Sequence, residues 1–266
     1  MQFEAIGYTD IGTRKKSNQD SYCIKIANTE IGQVALVAVA DGMGGLQKGE
    51  LASGFAIQKL SEWFDNKLPQ SLEMMSSSTT GLESFLTGQW SGIVQDLNLK
   101  IMRYGKKNYM NLGTTLTVFL VVGARYSIVH VGDSRVYEIR STGKITQLTE
   151  DQTFVHREMK AGRMTEEEAA KHPKRNVLLQ CIGSSKMVEP EVVHGNVKKG
   201  ASYLLCSDGF RHVLSEKQIQ SINQAAKVKN FDKSVRKKLK ELAEFDMKNG
   251  EQDNITAAVL HVSGAR

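Results

Sequence analysis

The sequence is poor in proline and cysteine and has no long apolar run. Its 266 residues include 3 prolines and 3 cysteines, so no proline-rich linker divides the chain, and we predict one domain over residues 1–266. The scattered cysteines form no C-x-x-C pair, which favours a reducing cytoplasm. No apolar stretch reaches the roughly 18 residues of a membrane span, and the first residues do not resemble a signal peptide. We therefore expect a cytoplasmic protein without a membrane partner.

The chain carries a formal charge of +6, which is compatible with nucleic acid or with phosphorylated substrates. Much of this charge lies between residues 227 and 248 at helical spacing, and such charges usually form the solvated face of a helix. We therefore expect no nucleic-acid partner. The 40% hydrophobic and 24% charged composition is typical of a globular protein with a substantial core.

The pattern of apolar residues predicts helices in pairs around many strands. Helical spacing occurs at 50–64, 82–104, 216–226 and 231–248, with a serine-rich loop predicted at 76–81. Strands are predicted at 22–27, 34–40, 114–122, 126–131, 136–140, 144–148, 177–182, 187–193, 202–206 and 255–262. Their close spacing leaves no room for crossover helices and implies antiparallel pairing. We predict an α+β fold, a four-layer αββα sandwich in which two mainly antiparallel β-sheets are flanked by pairs of helices.

The apolar run that begins at residue 34 stops abruptly at a carboxylate, Asp41, followed by glycines. Seven small or β-branched residues before it predict a strand buried on both faces. A charge does not belong in that interior, so Asp41 should stand at the strand end and be paired or coordinated. The glycines that would let the backbone turn there are Gly42, Gly44 and Gly45. A second apolar run ends the same way at Asp208, so two carboxylates should converge on a cation.

Three further aspartates lie next to predicted strands: Asp20, Asp133 and Asp253. Each alone is as compatible with an ordinary turn, but all five can reach one edge of a two-sheet structure. Clustered carboxylates repel one another and need cations to stay ionised. Aspartates without convergent His or Cys select hard ions such as Mg²⁺ or Mn²⁺. A two-metal site of this kind suits the hydrolysis of phosphate esters.

Six short motifs occur in a fixed order along the chain. They are Asn18-Gln19-Asp20, the run from Val39 to Gly45, Gly113-Thr114-Thr115, Gly132-Asp133-Ser134-Arg135, Ser207-Asp208-Gly209 and Asp253-Asn254. In this order they resemble the metal-dependent Ser/Thr protein phosphatases (PPM family, type 2C), in particular the compact bacterial branch. Residues 148–151 and 172–178 resemble that branch's segment beside the active site. The resemblance covers nearly the whole chain and implies a β-sandwich flanked by helix pairs.

The resemblance also implies roles for individual residues. Asp41 would bridge two metal ions, and the carbonyl of Gly42 would ligate one of them. The other acidic residues with implied roles are Asp208 and Asp253 as ligands of the second ion, Asp20 acting through metal-bound water, and Asp133 binding a weaker third ion together with Asp208. Thr115 and Asn254 would support the ligands without coordinating metal.

The implied activity is Mg²⁺- or Mn²⁺-dependent hydrolysis of phosphoserine and phosphothreonine in proteins, opposing a bacterial Ser/Thr kinase. A water shared by two divalent ions would lose its proton near neutral pH and attack phosphorus in line. No cysteine lies in a phosphate-cradling loop, so no phosphoenzyme is expected. We expect a monomer. Two alternative functions remain. One is a phosphatase dedicated to a single regulatory protein, and the other is a binding module that keeps the fold without turnover. The presence of all five aspartates argues against the binding module.

Three local features complete the prediction. Arg14 is the expected phosphate ligand because a guanidinium can grip phosphate through two hydrogen bonds, and Lys15 competes with it by spacing; a merely surface basic cluster is the alternative. Met43 stands where many eukaryotic relatives carry a histidine, which leaves the proton donor for the leaving group unassigned. The polar segment 150–176, with a helix start at Thr165, is expected to be a mobile flap over the site.

Overall fold

The structure is a computed structural model that describes residues 1–43, 48–76 and 81–263. Its strands are β1 (Gln2–Asp10), β2 (Asp20–Thr29), β3 (Gly32–Asp41), β4 (Leu116–Val122), β5 (Arg125–Val131), β6 (Arg135–Ile139), β7 (Ile145–Gln147), β8 (Glu191–Asn196), β9 (Ser202–Cys206) and β10 (Ile255–Ser263). Its helices are α1 (Gly49–Asn66), α2 (Leu68–Ser76), α3 (Leu82–Lys107), α4 (Phe154–Lys160), α5 (Glu166–Lys171), α6 (Glu216–Ala226) and α7 (Phe231–Lys248).

The strands form two sheets that pair antiparallel throughout the described ranges, as predicted. One sheet has the order β1-β10-β9-β6-β7 and the other β2-β3-β4-β5-β8. Helices α1 and α3 cover the outer face of the second sheet, and α6 and α7 cover that of the first. The α+β, four-layer αββα prediction is therefore confirmed.

Strand β3 shows why its sequence is apolar at every position from Val34 to Ala40. Val34, Leu36, Ala38 and Ala40 pack into the layer shared with α1 and α3. The alternate residues Ala35, Val37 and Val39 face the layer between the two sheets. Because side chains alternate between the two faces of a strand, a strand covered on both sides has no polar position. The predicted doubly buried strand is confirmed, and only Asp41, at its end, departs from the pattern.

The aromatic rings of Phe119 and Tyr203 stack between the sheets, with centroids 4.7 Å apart, and Tyr126 packs against Phe119 at 5.1 Å. Aromatic pairs at these distances add to the free energy of burial. They come from β4, β5 and β9, so this layer ties both sheets together. On α7 the basic residues form an exposed face opposite buried Val235 and Leu239, as predicted for the charged stretch.

The structure corrects several predicted elements. Residues 177–182 do not form a strand; they make only single bridges, at Leu178 and Ile182, because Val177 and Leu179 are exposed rather than turned toward a sheet. The strand predicted at 187–193 begins at Glu191. Helices α2 and α4 were not predicted, since both are shorter than ten residues and show too few apolar repeats. Residues 77–80 of the predicted serine-rich loop lie outside the described residues. No described helix is long and apolar enough to cross a bilayer.

Candidate functional site

The five aspartates lie at one edge of the sandwich, where both sheets present strand ends. Asp20 begins β2 and pairs in register with Asp41 at the end of β3. The other three belong to connections in or beside the first sheet: Asp133 between β5 and β6, Asp208 after β9, and Asp253 before β10. The pKa of Asp41 is raised well above its usual range, first by burial and then by the charges of the other four aspartates. The structure thus brings together the carboxylates that the sequence singled out.

Two carboxylate oxygens in this cluster, Asp20 Oδ1 and Asp208 Oδ1, are buried without a hydrogen-bond partner in the described part of the chain. Burial also raises the pKa of Asp20, and the charge of Asp208 raises it further. Hydrogen bonds to the Asp20 carboxylate lower this pKa and offset part of the increase. A buried polar atom without a partner is costly unless something else satisfies it. The donor set, carboxylates crowded at close range, is therefore one that a hard cation would stabilise.

The geometry around the cluster is not that of a simple chelate. Among the described residues, no three His, Cys, Asp or Glu side chains are arranged to hold one ion by themselves. The ammonium of Lys15 lies 2.6 Å from Asp253 Oδ1. Burial lowers the pKa of Lys15, and the hydrogen bond to Asp253, with the charges of Asp253, Asp41 and Asp208, more than reverses this effect. A protein cation therefore already sits among these carboxylates.

Backbone and hydroxyl groups hold the aspartates in place. Ser207 Oγ donates to Asp20 Oδ2 at 2.9 Å, and Thr115 Oγ1 accepts from the Asp41 amide at 2.9 Å. Asn254 Oδ1 accepts from the amide of Gln19 at 2.9 Å, so it fixes the residue before Asp20. Thr115 and Asn254 thus contact the backbone beside the aspartates, and their supporting role stays a prediction. Ser207 was not predicted, although it stands directly before Asp208.

Two glycines permit close backbone approach at this edge. A Cβ on Gly42 would lie 2.5 Å from the carbonyl oxygen of Gln19, and one on Gly209 would lie 2.2 Å from that of Asn254. Neither distance is possible for a real side chain against backbone, so these positions require glycine for packing alone. The predicted glycines Gly44 and Gly45 lie outside the described residues. Met43 donates its amide hydrogen to the carbonyl of Gly113 at 3.1 Å.

A cavity of about 1400 Å³ opens over the acidic cluster. The expected phosphate ligands Arg14 and Lys15 both line it, but they lie differently. Arg14 is exposed at the rim, where its Nη1 donates to Gln252 Oε1 at 2.8 Å, whereas Lys15 reaches Asp253. The structure therefore places Lys15, and not the favoured Arg14, closer to the carboxylates. His212 also lines this cavity.

A second set of charged residues lies in the same cavity wall. Sequence reasoning included Arg135 and Asp151 in the resemblance without giving them a role, and it missed Arg211 and His212. Asp151 accepts two hydrogen bonds from Arg135, at 2.7 and 2.6 Å, and a longer one from Arg211 at 3.4 Å. His212 Nδ1 lies 2.9 Å from Glu251 Oε2, and that hydrogen bond raises the pKa of His212. The signal was present, because Arg211 and His212 follow the end of the Asp208 motif by only two and three residues.

The segment 150–176 forms one wall of the cavity through its helices α4 and α5. The predicted helix start is confirmed: Thr165 and Glu168 form a capping box, with reciprocal hydrogen bonds that satisfy amides at the helix terminus. Lys160 pairs with Glu150 at 2.7 Å. The segment is therefore placed where a flap would act, and its mobility stays a prediction.

Comparison with known proteins gives one consistent result. Residues 10–249 match the family described as protein phosphatase 2C. The chain is 32% identical over 254 residues to the serine/threonine protein phosphatase PstP of Mycobacterium tuberculosis; the match covers 96% of this chain and 44% of PstP. The chain therefore spans less than half the length of that relative.

Two solved structures show the same fold. The serine/threonine phosphatase of S. agalactiae superposes with a TM-score of 0.80 at 31% identity, over 98% of this chain and 100% of the other. The catalytic domain of PstP in complex with two manganese ions superposes with a TM-score of 0.73 at 30% identity, over 98% and 99% of the two chains.

Proposed function

The chain belongs to the protein phosphatase 2C (PPM) family of serine/threonine phosphoprotein phosphatases, and from this we propose that it is a divalent-metal-dependent enzyme that hydrolyses phosphoserine and phosphothreonine in proteins. The observation that carries the proposal is the cluster of five aspartates at one edge of the sandwich, with two buried oxygens that no described residue satisfies. We propose that the whole chain, residues 1–266, is one catalytic domain with a flap over residues 150–176.

Asp41, Asp208, Asp253 and the carbonyl of Gly42 would hold two ions, with Asp20 acting through water. Mn²⁺ is the first choice because the PstP catalytic domain carries two manganese ions, and Mg²⁺ prefers the same oxygen donors. The ions would supply charge neutralisation at the phosphoryl oxygens and would lower the pKa of the attacking water. The family resemblance implies a weaker third ion at Asp133, but the surroundings of this carboxylate differ from those of the other four.

The chain's own residues would bind and orient the phosphate. Arg14 and Lys15 lie on one side of the cavity and can bring positive charge to the phosphoryl oxygens, Arg14 through paired hydrogen bonds and Lys15 as a point charge. Lys15 would first have to exchange its bond with Asp253 for one with phosphate. No cysteine is among the described residues that line the cavity, which agrees with direct attack by water and no phosphoenzyme.

The cavity is large and open enough for a phosphorylated side chain together with its flanking peptide. We propose phosphorylated Ser/Thr proteins as substrates, a cognate Ser/Thr kinase as the opposing enzyme, a cytoplasmic location and a monomeric state. The positive charge of α7 lies on an exposed helix face, which is usual for a solvated surface helix, and no nucleic-acid partner is proposed.

The test is hydrolysis of p-nitrophenyl phosphate and of a phosphothreonine peptide, with Mn²⁺, with Mg²⁺ and with EDTA. Asp41→Asn and Asp208→Asn should each lower activity by at least about a hundredfold, because each removes charge from the metal ligands. Asp65→Asn is the matched control, since Asp65 forms an exposed ion pair with Lys25 on the far side of the second sheet. Activity that survives chelation, or both substitutions at the cluster, would refute the proposal.

A further inference from the structure

Asp133 differs from the other four aspartates because a largely buried guanidinium lies beside it. Arg211 Nη2 donates to the backbone carbonyl of Asp133 at 3.1 Å, and the Arg211 side chain is only 11% exposed. Burial and the charge of Asp208 raise the pKa of Asp133, and the charge of Arg211 opposes them. The guanidinium pairs at 3.4 Å with the carboxylate of Asp151, so from its bond to the Asp133 carbonyl it acts on the Asp133 carboxylate through its charge over a longer distance.

Arg211 is fixed in this position rather than free to swing away. Its Nη2 also lies 3.4 Å from Asp151 Oδ2, and Asp151 is itself anchored by two short hydrogen bonds from Arg135. The group formed by Arg135, Arg211, Asp151 and Asp133 contains two positive and two negative side chains. It is balanced in charge when all four are ionised.

The remaining carboxylates have no such balance. Among the described residues, Asp41, Asp208 and Asp253 share the charge of one ammonium, that of Lys15, and Asp20 is buried beside them. The nearby imidazole of His212, 3.8 Å from Asp208, is hydrogen-bonded to Glu251, whose carboxylate already matches it. These four aspartates therefore keep an excess of about three negative charges, which two divalent ions would compensate.

We propose that Arg211 is the permanent counter-ion of Asp133 and takes the place of a third metal ion there, so that this chain binds two divalent ions and not three. The inference rests on the proposed two-metal function. A guanidinium keeps its charge at any pH at which the protein folds, so the effect does not depend on titration. A divalent ion at Asp133 would be repelled by this fixed positive charge at short range.

The test counts bound Mn²⁺ by equilibrium dialysis and elemental analysis at free metal concentrations raised to about 10 mM, so that a site with a Kd of about 1 mM is also filled. We expect two ions on the unmodified protein. Arg211→Gln removes the positive charge but keeps a donor for the Asp133 carbonyl, and it should bind three ions. Arg211→Lys keeps the charge and should bind two. Arg163→Gln is the control for net charge, because Arg163 is exposed and pairs with Glu158 in the segment between α4 and α5; it should leave two.

Asp133→Asn in the unmodified background provides a measurement that does not depend on the folding of Arg211→Gln. Because Asp133 holds no ion in this proposal, the substitution should leave two ions bound. Three ions on the unmodified protein, two on a folded Arg211→Gln, or a loss of one ion on Asp133→Asn would each overturn the inference while the two-metal function stands. No bound ion on any variant would overturn the proposed function and this inference with it.

Discussion

Replacing Asp151 with asparagine should destabilise the fold by about 2–3 kcal/mol. The Asp151 side chain is 11% exposed and accepts two hydrogen bonds from Arg135, whose side chain is 26% exposed. Removing one partner of a buried ion pair costs roughly 3–5 kcal/mol, and a charged hydrogen bond contributes about 1.5–3 kcal/mol. Arg135 is partly exposed and asparagine keeps one of the two acceptor oxygens. We therefore expect a loss below that of a fully buried ion pair and close to that of one charged hydrogen bond.

The assay is urea unfolding at pH 7 and pH 5, without metal, for the unmodified protein and the variant. Burial raises the pKa of Asp151, but the hydrogen bonds from Arg135 and the charge of Arg211 lower it below its usual range. A carboxyl with a lowered pKa stabilises the fold above its unfolded pKa, about 3.9, and loses this contribution as the pH falls further. The difference between the two proteins should therefore be the same at pH 7 and pH 5.

Asp65→Asn is the matched control, because it removes the same charge from an ion pair of similar length, 2.7 Å, whose two side chains are 31% and 50% exposed. Exposed pairs contribute less than about 1 kcal/mol. If both substitutions cost the same, or if Asp151→Asn costs less than about 1 kcal/mol, the bidentate pair does not stabilise the cavity wall.

Three other predictions concern the core and the site. Gly209→Ala should lower the free energy of unfolding in urea by at least about 2 kcal/mol, because its Cβ would meet a backbone oxygen at 2.2 Å. In the control Gly88→Ala the Cβ meets no described atom within 4 Å, so this substitution should stabilise α3 by about 0.5–1 kcal/mol. Equal effects would contradict the close approach at Gly209. Burial lowers the pKa of His130 to about 4, so the folded protein keeps this imidazole neutral. Lowering the pH from 7 to 5 should therefore reduce the free energy of unfolding of the unmodified protein by about 2 kcal/mol more than that of His130→Gln. Identical pH profiles of stability for the two proteins would contradict a lowered pKa. Lys15→Met should tighten Mn²⁺ binding about tenfold by calorimetry, since it removes the ammonium from Asp253; an unchanged affinity would show that Lys15 does not compete with metal.

The fold was predictable wherever periodicity had only one physical solution. Helices α6 and α7 begin and end at the predicted residues, because each carries an apolar stripe long enough to define a face. Strand β3 was equally clear, since a run of small and branched residues fits only a doubly covered strand. Residues 177–182 misled the prediction because Val177 and Leu179 have high strand propensity yet remain exposed, and propensity does not report which neighbour covers a face.

The residues of the candidate site were also predictable only in part. Aspartates at strand ends could be found because a charge after a buried strand contradicts its surroundings, and Asp41 and Asp208 both do so. The choice between Arg14 and Lys15 could not be made, because it depends on which side chain finds a partner in a loop distant in sequence: Asp253 for Lys15 and Gln252 for Arg14. Spacing along the chain contains no information about that choice.

Asp151 links parts of the molecule that sequence motifs treat as separate. It lies at the base of the predicted flap, it pairs with Arg135 on β6, and it contacts Arg211 directly after the Asp208 motif. Because Arg211 also bonds to the backbone of Asp133, movement of the flap base would displace the guanidinium that neutralises this aspartate. Flap position and the charge at the third-ion site would then be coupled through one carboxylate. Asp151→Asn removes one of the two negative charges that balance Arg135 and Arg211, so it should leave the number of bound Mn²⁺ ions at two while it lowers stability. Three ions bound to a folded Asp151→Asn would show that positive charge beside Asp133 does not exclude the third ion.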